Sequence, residues 1–534
     1  MKKFIISASI ILIAFSACKK SFLKEDIYSV YSPETLTDSL GFEASIAGLQ
    51  NQLSLFFTWS DQQGWLSVWQ AGTDITYVPP TQRQGIEVPY YDYTQLTSTD
   101  GAALFTWRWA YQMINNANVI ISNVENAAIT AMSQANKDYI NGEARFFRAY
   151  AYNILATCFG RVPIITTPLK EPKTNFTRAP LDSANNLIVE DLTFGATKLP
   201  DIENVKTNSK GRTYARPNKY MAMQLLAEVY LRMNKPDLAE TQAQAVINSN
   251  RFKLITTRYG IKATQPGDYY SDMFWYGNQR RSQGNTEAIW VLEMENTSVV
   301  PGGYTGAPQQ RRQWGAAYYQ IPGMKITDSL GGRGIARLRL NNWVAYSLFE
   351  ANDIRNSHYN LRRMYWYNTP GTANFGKPVV PGTDPLDTLI RIAPHITKWY
   401  QYDPNDEFGF AMVKDIILMR LGETYLLLAE AQFKQNKLAQ AAESLNAIRR
   451  RANATPVSAA QVTMDFILDE RVRELIGEEN RRMTLMRTGT LVERATRLNG
   501  DKINGISTKN LLLPIPRSEI DLNKDAPLEQ NPGY

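Results

Sequence analysis

The chain has 534 residues, 44% of them apolar and 20% charged, the balance of an ordinary globular protein but a length beyond what one core usually serves, so two subdomains or a helical array are expected. Eleven Trp and 28 Tyr against two His supply flat apolar faces and argue against metal or acid–base chemistry built on imidazole. The net charge of +7 owes much to Lys2, Lys3, Lys19 and Lys20, and no Lys/Arg tract of the kind that binds nucleic acid follows.

Met1-Lys2-Lys3 is a basic n-region, and Phe4 to Phe15 is an apolar run within the h-region range of a signal peptide. It is too short to span a bilayer, which takes about 20 residues. Phe15-Ser16-Ala17-Cys18 resembles a bacterial lipobox. Residues 1–17 are then a lipoprotein signal peptide, Cys18 is the lipid attachment site and 18–38 a lipid-anchored tether. A plain secretory signal cut near Ala17 is the alternative. Several acyl chains, at about 0.8 kcal/mol per buried CH₂, hold a protein at a membrane where one does not. The other cysteine, Cys158, sits in the apolar context NILATCFG and reads as a small buried thiol. No Cys spacing suggests a zinc or redox motif, and no metal or cofactor is expected.

Helical periodicity runs from Leu40 to Trp69, and a loop rich in Pro and Tyr follows from Thr73 to Gly101. Helices resume over Leu104–Asn126 and Gln134–Phe159, the second stopped by Gly160 and Pro163. Asp182-Ser183 can cap another, to about Lys198. LLAEVYLRMNKPDLAETQAQAVIN (Leu225 to Asn248) and LLAEAQFKQNKLAQAAESLNAIRR (Leu427 to Arg450) then form an internal repeat. Each is a helix, a tight turn and a second helix with Ala at close-contact positions, the tetratricopeptide pattern; the copies read as differing by a Pro-Asp insertion at the turn. Residues 251 to 415 are rich in Gly, Pro, Tyr and Trp with short strand-like runs such as EAIWVLEME, and long irregular segments of this kind are usually functional or disordered. A single body over 39–534 is expected, with a helical part to about 250, a loop-rich insertion to about 415 and a helical part to the end.

Catalytic patterns are weak. His358 and His395 are far apart and lack ligand or triad spacing. GGRGIARLR at Gly331 lacks the Lys and setting of a phosphate loop. Glu293 and Glu295 alternate on one face of an expected strand, a separation compatible with paired carboxylates in glycoside hydrolysis, or with a solvated strand edge. In DERVRELIGEENRR, Asp469–Arg473 and Glu478–Arg482 read as i,i+4 pairs on a helix surface.

NGEARFFRAYAYNILATCFGRVPII resembles a signature of the SusD/RagB family of outer-membrane nutrient-binding lipoproteins, through Glu143, Ala144, Arg145, Phe146, Arg148, Ala149, Tyr150, Phe159, Gly160, Val162 and Pro163. The likeness extends through Trp107, Tyr111, Ile114 and Asn118, FEANDIR, ILDERVREL and the closing QNPGY. It implies a mainly α, SusD-like fold: a tetratricopeptide-like helical-pair scaffold with a loop-rich aromatic elaboration and few short strands. It also implies a non-catalytic surface lipoprotein of the outer membrane that captures glycans, or in some members peptides, and passes them to a TonB-dependent transporter of the SusC type. Arg145, Arg148 and Pro163 then serve the scaffold, and Trp107 and Trp109 its core.

Sugar rings pack their C–H faces on aromatic planes and need amide, carboxylate or Arg partners for their hydroxyls, so a glycan site should mix exposed Trp and Tyr with such groups on loops. Three clusters qualify. The first is Asp74, Tyr77, Arg83, Tyr90, Tyr91 and Tyr93; the second is Tyr269, Tyr270, Trp275, Tyr276 and Asn278. The third joins Arg311, Arg312, Trp314, Tyr318 and Tyr319 to Tyr365, Trp366 and Tyr367. The first two rank higher. A glycan receptor is the leading reading, a peptide receptor of the same fold the second, a hydrolase using Glu293 and Glu295 the third.

Overall fold

Asp38, Asp100 and Ser133 each turn a side-chain oxygen onto a backbone N–H three residues on, at 2.8, 2.7 and 3.3 Å. Each thereby starts a long helix, since the first N–H groups of a helix have no partner within it. The helices are α1 (Ser39–Thr58), α2 (Gly101–Val124) and α3 (Gln134–Phe159). This computed structural model describes residue 36 and residues 38–534, apart from 60–63, 84, 170, 209–210, 214, 296–307 and 410–411. The expected signal peptide, Cys18 and nearly all of the tether lie outside the described residues.

The array continues with α4 (Leu181–Lys198), α5 (Lys219–Arg232) and α6 (Pro236–Asn248). Two short helices, α7 (Tyr269–Asp272) and α8 (Gln310–Trp314), belong to the insertion. Then come α9 (Leu421–Lys434), α10 (Leu438–Arg451), α11 (Met464–Leu475), α12 (Arg481–Thr488), α13 (Leu491–Asn499) and α14 (Arg517–Leu522). Each helix from α1 to α6 packs on the next, and α6 then packs on α9, which carries α10 and α11. The two repeats therefore lie side by side although the insertion separates them in sequence. Ala227, Ala239, Ala243 and Ala431 share one buried cluster with Leu427 and Leu428 at this junction, where small side chains let the helices approach. Both inner turns use Asn in the left-handed region, Asn234 at φ 54° and Asn436 at φ 58°, a conformation Asn tolerates better than most residues. Both second helices start two residues later, at Pro236 and Leu438. Pro236 and Asp237 are thus substitutions in register, not an insertion.

Strand β2 (Ala288–Leu292), inside the insertion, pairs antiparallel with β6 (Ile416–Arg420), just past its end. Trp290 on β2 buries itself against Phe146 and Tyr150 of α3, ring centroids 5.2 and 5.1 Å away, which roots the insertion in the scaffold. Two-residue pairings join β1 (Thr76–Tyr77) to β3 (Arg339–Leu340) and β4 (Leu361–Arg362) to β5 (His395–Ile396). The main core runs from Leu36 to Leu528 and includes Trp107 and Trp109. A separate aromatic core in the insertion holds Tyr318, Tyr365, Leu330 and Ile390.

The family-signature residues hold the scaffold together. Arg148 donates to both carboxylate oxygens of Asp191 on α4, at 2.7 and 2.8 Å, and to Asn118 on α2 at 2.8 Å. Tyr111 donates to the Pro163 carbonyl, and Asn531 of the terminal QNPGY donates to the carbonyls of Phe159 and Leu513. DERVRELIGEENRR departs from expectation, being an internal ion network and not a surface helix. Glu474 lies among Arg355, Arg420 and Arg451. Burial opposes its ionisation, but the three guanidiniums outweigh that and hold its carboxyl well below the usual range. Asp469 pairs with Arg494 rather than Arg473. Arg482 donates to the Val68 carbonyl and the Tyr93 hydroxyl, and Glu478 pairs with Lys398 and Arg420.

Candidate functional site

The first cluster is a buttress. Asp74 is fully buried, its carboxylate bound by Arg481 at 2.9 and 2.6 Å and by Arg494 at 2.7 Å. Burial works against its charge, yet the two arginines hold its carboxyl below the ordinary value. Tyr90 donates to Asp100 and Tyr93 to the Gly72 carbonyl. Tyr77 is buried in β1 opposite Arg339, and Tyr91 is buried with the Arg83 guanidinium 5.3 Å from its ring. Asp74, Tyr77, Tyr90 and Tyr91 therefore offer a ligand almost nothing; Arg83 alone of the six is exposed. The physical reason is that an irregular loop crossing a helical scaffold must satisfy its own backbone, and these side chains do so by turning inward.

The second cluster divides. Asn278 is fully buried: it accepts from the Ile261 N–H at 2.9 Å and donates to the Asp272 carbonyl at 3.0 Å. Tyr269 and Tyr270 donate to the carbonyls of Arg451 and Glu474. Trp275 is half-buried under the Lys262 ammonium, 3.6 Å from its ring centroid. Tyr276 is 44% exposed.

The third cluster divides in the same way. Arg311 and Arg312 are buried, Arg311 donating to the carbonyls of Gln401 and Gly409 and Arg312 to the Gln309 side chain. Trp314 is buried and lines a cavity of about 180 Å³. Tyr318 and Tyr365 meet in the small aromatic core, and the Tyr365 hydroxyl lies 2.9 Å from His395. Trp366, next in sequence to Tyr365, faces outward at 41% exposure.

Three further aromatics are open to solvent and were not anticipated: Tyr346, Phe375 and Phe408. The two phenylalanines each precede a glycine inside a run of turn residues, NTPGTANFG and DPNDEFG, and an aromatic ring set in such a turn has no periodic face to bury. Phe408, 59% exposed, meets Tyr319 edge-on at 6.2 Å. The Arg333 guanidinium lies 5.7 Å from the Phe408 ring and 5.9 Å from that of Tyr319. Among the described residues, every Trp, Tyr or Phe in the exposed class (Tyr276, Tyr346, Trp366, Phe375, Phe408) falls within the insertion.

Glu293 and Glu295 lie beyond the end of β2, and Arg280 sits against both, 3.6 Å from Glu293 and 2.7 Å from Glu295. Glu295 also pairs with Arg212, and Glu293 accepts from Thr213. Their geometry is that of an ion cluster, with a guanidinium where a substrate would have to lie. His395 is buried between the hydroxyls of Tyr365 and Tyr400, and His358 lies with its ring 3.8 Å from that of Tyr359.

A SusD-family model matches residues 286–534, and a second, described as starch-binding and associating with the outer membrane, matches residues 41–231. The chain belongs to the SusD family. Its SusD-family relatives include the SusD-like protein P25 of Formosa agariphila, 24% identical over 94% of each chain. The starch-binding protein SusD of Bacteroides thetaiotaomicron is 38% identical over 22% of each. A laminarin-binding SusD-like protein of known structure superposes with a TM-score of 0.70 at 21% identity, covering 93% of this chain and 100% of that one. Surface glycan-binding protein A of B. thetaiotaomicron, solved with laminarihexaose, gives 0.69 at 18% identity, over 92% and 99%. The architecture described above is the SusD-like fold, mainly helical with few short strands.

Proposed function

We propose that this SusD-family chain is a non-catalytic glycan-binding protein of the outer-membrane surface. In this reading Cys18 carries its lipid anchor, and it captures oligo- or polysaccharide for a TonB-dependent transporter of the SusC type. The observation that carries it is the segregation of exposed aromatics. Among the described residues the helical scaffold keeps its rings buried or partly buried, while Tyr276, Tyr346, Trp366, Phe375 and Phe408 stand open on the insertion, where Arg333 lies beside Phe408. Flat apolar faces next to hydrogen-bond donors on rigidly based loops are what a sugar chain needs. The names of relatives that bind starch and laminarin support the same class.

The test is polysaccharide affinity electrophoresis of the chain lacking residues 1–18, against a panel that includes laminarin and soluble starch. Retardation by at least one glycan with no change in its chain length is expected. No retardation anywhere, with measurable peptide binding, would move the reading to a peptide receptor. Release of reducing ends, abolished by Glu293→Gln, would make the protein a hydrolase.

A further inference from the structure

The hairpin that carries Trp366 is built as a platform. Two backbone bonds bracket the antiparallel bridge between Trp366 and Pro378: Tyr367 N–H to the Lys377 carbonyl at 3.0 Å, and Val379 N–H to the Tyr365 carbonyl at 2.9 Å. A pair in this position exchanges no hydrogen bond of its own, so its Cα atoms approach to about 4.5 Å and its side chains lie close together. Pro378 gives up no ladder bond there, because its nitrogen points away from the partner strand. Tyr365, buried, fixes the inward side of the ribbon, its hydroxyl donating to the Ala393 carbonyl. Side chains alternate along a strand, so Met364 and Val380, two residues along from the pair, extend the outward face. They are 58% and 75% exposed.

The ribbon is also positively charged without compensation. Residues 361–383 contain Arg362, Arg363 and Lys377 and no Asp or Glu. Arg362 donates to the Tyr400 hydroxyl and the Ser329 carbonyl, and Arg363 to the carbonyls of Ala345 and Asn356, so neither charge is met by a carboxylate. Lys325 is clamped beside the ribbon: the Asn368 side chain accepts from its N–H and donates to its carbonyl, both at 2.8 Å. Lys325 and Lys377 are exposed, and among the described residues neither has a carboxylate within ion-pair distance. Phe408, by contrast, sits in a turn with Asp403, Asp406 and Glu407. The Debye length is about 8–10 Å at 0.1–0.15 M ionic strength, longer than the step of about 4.8 Å from one strand to the next. The positive charge is therefore felt at the Trp366 ring whichever way the lysines turn. It attracts an anion and does nothing for a neutral chain.

From this union of flat rings and uncompensated charge we infer that the outward face of the ribbon binds an acidic polysaccharide. The C–H faces of its sugars lie on Trp366 and Pro378, and its carboxylate or sulfate groups meet Lys325 and Lys377. The inference rests on the glycan-binding reading and names the class of glycan. A lipid surface fits less well, because the hairpin tip carries Thr369, Thr372 and Asn374, which would lose their water. The test is isothermal titration of the full chain in nonionic detergent with oligosaccharides of polygalacturonate and alginate (carboxylate), κ-carrageenan (sulfate), and laminarin and starch (neutral). At least one acidic oligosaccharide should bind more tightly than either neutral one, and less tightly at about 1 M salt, where screening acts over about 3 Å. Trp366→Ala should weaken that binding, and Lys325→Gln with Lys377→Gln should weaken it about tenfold while leaving any neutral binding as in the wild type. Binding of the neutral oligosaccharides alone would overturn the inference and leave the glycan reading standing. So would acidic binding that neither Trp366→Ala nor the double lysine variant alters, since the acidic site would then lie elsewhere. Binding of no oligosaccharide, with Trp366-dependent binding of poly-glutamate or of phosphatidylglycerol vesicles, would overturn both.

Discussion

Asp74→Asn separates a structural aspartate from a ligand-binding one. The carboxylate is fully buried between Arg481 and Arg494, and breaking a buried pair by removing one charge costs about 3–5 kcal/mol, because it strands the other. Here the stranded arginines keep partners: Arg481 retains Glu479, and Arg494 retains Asp465 and Asp469. The loss should therefore fall near the bottom of that range, about 3 kcal/mol. Unfolding entropy of about 2.1 cal/mol/K per residue gives roughly 1 kcal/mol/K for a chain of this length, so Tm should drop by about 3 °C. Differential scanning calorimetry reads the drop, and affinity electrophoresis below Tm reads the ligand. The expected outcome is a lower Tm with wild-type retardation. A wild-type Tm with lost retardation would show that Asp74 meets the glycan and that the pairing with Arg481 and Arg494 does not hold it.

The exposed aromatics give the complementary result: Trp366→Ala or Tyr276→Ala should weaken glycan retardation about tenfold, near 1.4 kcal/mol, at unchanged Tm, whereas Trp314→Ala, buried, should cost about 3–5 kcal/mol of stability. If neither surface variant alters mobility, those two rings are not the site. His395 supplies a pH dependence. Burial, with Arg362 nearby, lowers it from 6.5 to about 3, so below pH 6.5 the unfolded chain takes a proton that the folded chain refuses. Stability must fall as pH falls from 6.5 toward 3, by about 2 kcal/mol at pH 5. Urea melts at pH 7 and pH 5 should show His395→Gln losing less than wild type by that amount, and parallel losses would disprove the linkage. At the repeat turn, Asn436→Gly should be nearly neutral while Asn436→Ala costs about 1 kcal/mol, since only the left-handed backbone distinguishes them; equal Tm values for the two would remove the turn argument.

What could be read in advance followed from how far apart the deciding groups lie. The helix Gln134–Phe159 was legible to the residue because its signals are local: apolar periodicity, then Gly160 as a stop. The repeat was legible because Leu-Leu-Ala-Glu recurs, with Ala227 and Ala429 at corresponding positions. The fate of Asp74 was not, because its partners lie about four hundred residues away on α12 and α13 and no local pattern announces them. The same blindness misassigned Asp469, whose i,i+4 neighbour Arg473 is the cation one helical turn away in sequence, while Arg494 is the one it pairs with in space. Tyr365 and Trp366 show the limit most sharply: adjacent residues of similar chemistry, one in a buried core and one in solvent. In a helix, period 3.6 would have told them apart. In an irregular segment only the path of the backbone decides, and that path is set by anchors such as Asn278, Arg311 and Tyr318. These residues looked like ligand contacts because the polar and aromatic chemistry that binds a sugar is the same chemistry that pins a loop. Exposure therefore sorts the candidates where composition could not, and it makes the insertion's outward rings the ones to test for recognition.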